Sequence, residues 1–147
     1  LGAEVTEFYG PVAELKDIDL GFDAPEDLRV VGDPVLLAQA LGNMVDNALK
    51  YAPVRGAIAI TARRLDAERV AVVVADNGPG IPEHERTRVI ERFYRVDASR
   101  GTPGVGLGLS VVSAVARLHG GSLTLEDNHP GLRATLLLPT NPAAQAY

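Results

Sequence analysis

The chain has 147 residues, 46% of them hydrophobic and 22% charged, with a formal net charge of −5 and no cysteine. This is the composition of one ordinary globular domain with a single core, and it excludes a disulfide framework, a thiol nucleophile and any Cys-based metal site. The acidic balance leaves no footprint for nucleic acid or an anionic membrane surface, no apolar run reaches the ~18 residues of a membrane span, and no signal peptide is visible.

A start at Leu1 instead of methionine reads as a piece of a longer protein. Residues 3–16 carry Val5, Phe8, Tyr9, Val12 and Leu15 at helical spacing, which predicts a helix, and Pro11 implies a kink in it or a late start. Ile18 to Phe22 alternates as a strand does, and Leu28-Arg29-Val30-Val31 reads as a second short strand ended by Gly32. Asp33-Pro34 is a helix start, with a capping carboxylate before proline at the first helical position. That helix must stop near Ala52, because Pro53 follows.

Ala57 to Leu65 and Arg69 to Ala75 are expected as strands joined by Asp66-Ala67-Glu68. The aliphatic run Val70 to Ala75 marks the second as central and covered on both faces. Pro82 opens a short charged helix, residues 96–105 are loop, and Gly106 to His119 is an apolar helix closed by Gly120-Gly121. Ser122 to Glu126 and Leu132 to Leu138 form a last pair of strands around Asp127-Asn128-His129-Pro130-Gly131. A frayed tail is expected from Thr140. The sum is a two-layer α/β sandwich of the α+β class, a mixed sheet with helices on one face, in one domain over residues 1–139 with a tail at 140–147.

The helix after Pro34 carries an unusual polar stripe. At about 3.6 residues per turn, Asn43, Asn47, Lys50 and Tyr51 fall within roughly 100° of one another, opposite Met44, Val45, Ala48 and Leu49. Carboxamide oxygens suit a hard cation such as Mg²⁺ and an ammonium suits a phosphate, although a solvated helix face has the same pattern. Asp76-Asn77-Gly78-Pro79-Gly80 follows the central strand. A carboxylate there needs a partner such as an exocyclic amine, and the same residues also make an ordinary turn.

Gly104-Val105-Gly106-Leu107-Gly108-Leu109 opens a helix whose free N–H groups suit an anion. A dinucleotide fingerprint would follow a strand directly, whereas a polar loop comes first here, and no Gly-Lys-Ser/Thr of a P-loop is present. The glycines read better as a lid. Arg86, Arg88, Arg92 and Arg95 alternate with Glu83, Glu85, Glu91 and Asp97 as a solvated face does. Arg100 is set apart by its place in the loop before the glycines. His84, His119 and His129 lack metal-ligand spacing and read as structural or solvent-facing.

In this order, the Asn-x-x-x-Asn helix, the Asp-x-Gly-x-Gly turn and the Gly-x-Gly-x-Gly lid resemble the ATP-binding superfamily of DNA gyrase, heat-shock chaperones, mismatch-repair ATPases and histidine kinases. Asn43 to Tyr51 resembles the N box of sensor histidine kinases, Glu91 to Asp97 their F box, and Asp76 to Gly80 and Gly104 to Gly108 their glycine boxes. Leu118-His119-Gly120-Gly121 is similar to their usual helix ending. The resemblance covers about residues 1–139 and implies a Bergerat-type fold, with Mg–ATP as the bound nucleotide.

It further implies Asn47 and Asn43 on Mg²⁺, Lys50 on phosphate and Tyr51 near the ribose or adenine. Asp76 would meet the adenine amino group, with Gly78, Gly80 and Ile81 lining the base pocket. Gly104, Val105, Gly106 and Gly108 would wrap the triphosphate over Leu107 and Leu109. Arg100 would reach the γ-phosphate, and Phe93 and Tyr94 would anchor the lid. The catalytic set would be Asn43, Asn47, Lys50 and Arg100.

Gyrase-like relatives carry a glutamate where this chain has Asn43, so the resemblance implies phosphoryl transfer to an outside histidine instead of hydrolysis. It implies a separate histidine-bearing dimerisation domain of the same parent, a downstream response regulator, a monomeric isolated domain and a homodimeric parent. The setting is two-component signal transduction in the cytoplasm, with an inner-membrane anchor left open for the parent. Two alternatives are a nucleotide-binding pseudokinase-type regulator and an independent gyrase-type ATPase. Pro103 stands in a lid usually richer in glycine, and Leu132-Arg133-Ala134 replaces a small hydroxyl residue frequent beside adenine.

Overall fold

The computed structural model describes residues 2–24, 28, 30–53, 55–79 and 108–140. Among these, three helices and five strands occur in the order α1 (Gly2–Leu15), β1 (Asp19–Asp23), α2 (Pro34–Tyr51), β2 (Ala57–Arg64), β3 (Arg69–Asp76), α3 (Gly108–Leu118), β4 (Ser122–Asp127) and β5 (Leu132–Pro139). The expected charged helix after Pro82 and the loop at 96–105 lie outside the described residues.

The strands form one mixed sheet in the order β1-β2-β3-β5-β4. β1 runs parallel to β2, and the other neighbours are antiparallel. Helices and sheet share one core, in which Met44, Ile58, Ile60, Leu136, Val45 and Val112 are the largest fully buried side chains. Each such side chain contributes about 1.5–3 kcal/mol relative to exposure.

Chain chemistry sets the helix ends. Asp33 Oδ1 accepts from Val35 N at 2.9 Å and Leu36 N at 3.2 Å, capping α2 as its Asp-Pro start predicts. α1 starts at Gly2 with Pro11 inside it, so proline does not delay the start. α1 closes with Asp17 in the left-handed region (φ 57) and Ile18 N bonded to Ala13 O at 2.9 Å. α3 closes the same way, with Gly120 at φ 76 and Gly121 N bonded to Ala116 O at 2.8 Å. His119 joins this end to the start of α2: its Nδ1 donates to Val115 O at 2.8 Å, and its Nε2 accepts from Asp33 N at 3.1 Å.

Three expectations change. Leu28, Val30 and Val31 form no strand; Val30 packs against the core in the connection that leads to Asp33. Three apolar residues in a run of four are too few for periodicity to separate a strand from a packed connection. β3 is central, paired to β2 and β5, and among the described residues helices pack on one of its faces only, although Val73 on the other face is also buried. Val72 and Val74 join the helix-facing core, whereas on the opposite face Ala71 and Ala75 are half-buried and Val73 is flanked across the strands by Thr61 and Thr135. Thr140, expected as the start of a frayed tail, is tied by its N–H to Glu68 O at 2.8 Å. Among the described residues, no helix is long and apolar enough to cross a membrane.

Candidate functional site

α2 buries Leu37, Ala40, Leu41, Met44, Val45, Ala48 and Leu49, and this fixes which side its polar arc must take. Asn43 and Asn47, one turn apart, are half-buried, and among the described residues neither carboxamide has a hydrogen-bond partner. Lys50 Nζ lies 3.4 Å from Asp46 Oδ2, with both side chains about half exposed. Such a solvated i,i+4 pair is worth a few tenths of a kcal/mol, so Lys50 is inexpensive to redirect. Asp46 is a neighbour that the polar-arc reading omits, although its spacing from Lys50 makes it legible.

The end of α2 is fixed from two sides. Lys16 Nζ donates to Leu49 O, placing a cation at the helix C-terminus. On the other side, a Cβ built on Gly78 would lie 2.6 Å from Tyr51 O, so the turn after β3 sits directly against the last residue of α2. Only glycine permits that approach. Asn77 Oδ1 accepts from Ala57 N at 2.9 Å and ties the same turn to the start of β2. The polar arc of α2 and the Asp76 turn are thus neighbours, though Asp76 lies 25 positions after Tyr51 in the sequence.

Asp76 is the most distinctive group. It ends β3 with only 4% of its surface exposed. Its alternation with Val72 and Val74 sends its side chain to the helix-facing side of the sheet. Oδ1 accepts from Gly78 N at 2.9 Å and Leu132 N at 3.3 Å. Among the described residues no donor reaches Oδ2. Burial pushes this carboxyl above its usual range, and the two N–H donors offset only part of that effect. A buried carboxylate with two donors on one oxygen and, among the described residues, none on the other is suited to accept from an exocyclic amine.

Sequence reasoning misses the shell around Asp76. Asn128 Nδ2 donates to the main-chain oxygen of Asp76 at 2.7 Å. Gly131, at φ +112, passes so close that a Cβ there would lie 1.9 Å from the same oxygen. Within one strand or one turn, nothing in the sequence signals either contact.

Of the other site residues, Gly108 begins α3 and Leu109 is buried beside it. Gly80, Ile81, Phe93, Tyr94, Arg100, Gly104, Val105, Gly106 and Leu107 lie outside the described residues. Among the described residues no group of three or more His, Cys, Asp or Glu side chains is placed to hold a metal. Among the described residues, the oxygen donors that fit a hard cation are the carboxamides of Asn43 and Asn47, which have no hydrogen-bond partner there. Mg²⁺ commonly takes few protein ligands and completes its shell with water and phosphate oxygens, so this sparse set is compatible with it.

Residues 32–142 match the family described as histidine kinase-, DNA gyrase B- and HSP90-like ATPases. The chain is 46% identical over 114 residues to the signal transduction histidine-protein kinase/phosphatase MprB of Mycolicibacterium paratuberculosis, covering 77% of this chain and 22% of that protein. It therefore spans about a fifth of the length of this curated relative. The catalytic domain of histidine kinase ThkA superposes with a TM-score of 0.85 at 30% identity, over 95% of this chain and 92% of that one. The mycobacterial sensor kinase MprB superposes with a TM-score of 0.81 at 33% identity, over 95% of each chain. Two further neighbours carry partners: full-length ShkA in complex with AMPPNP (TM-score 0.79, 31% identity, 94% of this chain and 28% of that one) and ThkA in complex with the response regulator TrrA (TM-score 0.79, 27% identity, 96% and 40%). The chain belongs to the histidine kinase-, DNA gyrase B- and HSP90-like ATPase family, and within it to the histidine kinase catalytic domains.

Proposed function

We propose that this chain, over residues 1–139, is the catalytic module of a two-component sensor kinase. It binds Mg–ATP and passes the γ-phosphoryl group to a histidine on a separate dimerisation domain of the same parent. The observation that carries this reading is Asp76: a buried carboxylate whose Oδ1 is held by two N–H groups while Oδ2 has no donor among the described residues.

In this reading Oδ2 accepts the adenine amino group, with Gly78, Gly80 and Ile81 around the base. Asn47 and Asn43 offer oxygens to Mg²⁺, which when bound supplies charge neutralisation between the phosphates. Lys50 exchanges Asp46 for a phosphate oxygen, and Tyr51 lies on the ribose side. Arg100 and the lid of Gly104, Val105, Gly106 and Gly108 close over the triphosphate, with Phe93 and Tyr94 as anchors and Leu107 and Leu109 beneath.

Asn43 stands where a hydrolase of this family would need a carboxylate to activate water, so the chain lacks a general base there. Positioning then favours an external imidazole: its nitrogen forms the new N–P bond as the bond to the β-phosphate oxygen breaks and ADP leaves. The AMPPNP complex of ShkA and the ThkA–TrrA complex support a nucleotide ligand and a downstream response regulator. We place the module in the cytoplasm, monomeric in isolation and serving a homodimeric parent.

The test mixes the chain with a histidine-bearing dimerisation domain, Mg²⁺ and γ-labelled ATP. The expected product is labelled phosphohistidine on the added domain, without phosphate release by the chain alone. Nucleotide binding with no phosphohistidine would favour a pseudokinase-type regulator, and phosphate release by the isolated chain a gyrase-type ATPase.

A further inference from the structure

The β3–β5 register ends at Ala75 opposite Arg133, so the next pair would set Asp76 opposite Leu132. In a regular hydrogen-bonded pair Leu132 N would donate to the main-chain oxygen of Asp76. Instead Leu132 N reaches the carboxylate Oδ1 at 3.3 Å, and Asn128 Nδ2 takes the main-chain oxygen at 2.7 Å. The turn that delivers Asn128 is held by its own contacts. Asn128 N donates to Gly131 O at 3.0 Å, and His129 N donates to Asp127 Oδ1 at 2.9 Å. Gly131 lets the turn lie flat on the Asp76 carbonyl.

We propose that Asn128 is a positioning residue for base recognition: by occupying the Asp76 carbonyl it frees Leu132 N–H for Oδ1, which turns Oδ2 towards the bound base. This rests on the nucleotide reading above. Without the Asn128 donor, Leu132 N–H falls back to the carbonyl, Oδ1 keeps only Gly78 N, and the carboxylate is free to rotate. Asn128 itself does not touch the base in this scheme. Its loss therefore acts on selectivity between bases and leaves the triphosphate contacts in place.

The experiment measures dissociation constants of the chain for Mg–ATP, Mg–GTP and inorganic triphosphate, for wild type and Asn128→Asp. The substitution keeps the shape of the side chain but opposes the Asp76 carbonyl with an acceptor. GTP carries a 6-oxo acceptor where ATP has its amino donor, so a site built around an oriented carboxylate discriminates strongly between them. The expected result is a fall of about tenfold in the ATP-over-GTP preference, with triphosphate affinity unchanged.

A preference that survives the substitution, while the melting temperature falls, makes Asn128 a structural residue and overturns the inference alone. A wild-type chain with no preference for ATP overturns the nucleotide reading on which it rests. If Asn128→Asp does not fold, the wild-type protein decides. The Asn128 side-chain amide resonances must then shift with ATP and not with inorganic triphosphate, and equal responses to both overturn the proposal.

Discussion

The polar arc of α2 and the turn after β3 hold their side chains under opposite conditions. Asn43 and Asn47 are half-buried and bond nothing among the described residues, while the helix beneath them is held by its apolar side. Asp76 is buried, and its carboxylate and main-chain oxygens together receive three donors, two of them from across the sheet. A carboxamide on a self-satisfied helix costs the fold little more than helix propensity, whereas a buried carboxylate needs a shell built for it. The first region should therefore tolerate change without refolding, and the second only those changes that leave its shell of donors in place.

Gly131→Ala should have the largest effect. Its φ of +112 is closed to alanine, and the new Cβ would lie 1.9 Å from Asp76 O. The expected loss is on the order of 3 kcal/mol, read as a lower urea midpoint. An unchanged midpoint would mean that the turn is not seated on Asp76.

Asp76→Asn separates the shell from the charge. The carboxamide oxygen can still accept from Gly78 and Leu132, so the fold should persist. Its NH₂ then opposes the adenine amine, and ATP affinity should drop by about ten- to a hundredfold, measured by titration calorimetry. Stability carries a second signature. Because burial raises the carboxyl pKa in the folded state, the folded protein binds this proton more tightly than the unfolded chain. The stability of wild type relative to Asp76→Asn is then greatest below the unfolded value of 3.8, falls as pH rises through the raised folded value, and is flat above it. A relative stability that instead climbs with pH would show a carboxylate stabilised by its setting, contrary to the role given to its burial.

The same contrast explains what the sequence makes legible. The signals that mark α2 lie within one contiguous stretch: the Asp33-Pro34 start, the apolar spacing, the polar arc and the stop before Pro53. Helical periodicity is enough to place each side chain on its face. The Gly120-Gly121 ending and the central position of β3 are legible for the same local reason. Asp76 is legible as a carboxylate at the end of an aliphatic strand, but its partners are not. Asn128 and Leu132 lie 52 and 56 residues away and arrive through a strand register that no local pattern encodes. Leu28, Val30 and Val31 fail in the opposite direction, since a short, mostly apolar run satisfies a strand pattern while Val30 packs on the core from a connection.

The smallest effect gives the sharpest test of the α2 face. Asn47→Ala and Asn43→Ala each replace a poor helix former with the best one and remove no protein hydrogen bond among the described residues. Each variant should therefore be more stable than wild type, by about 0.5 kcal/mol, with an unchanged denaturant slope. Mg²⁺-dependent phosphoryl transfer to the added dimerisation domain should fall sharply in the same proteins, most for Asn47→Ala. Stability gained while activity is lost is the behaviour of residues kept for a ligand at the fold's expense. If either variant is destabilised by 1 kcal/mol or more, its carboxamide is held by the protein itself, and the arc loses its claim to be a ligand-facing surface.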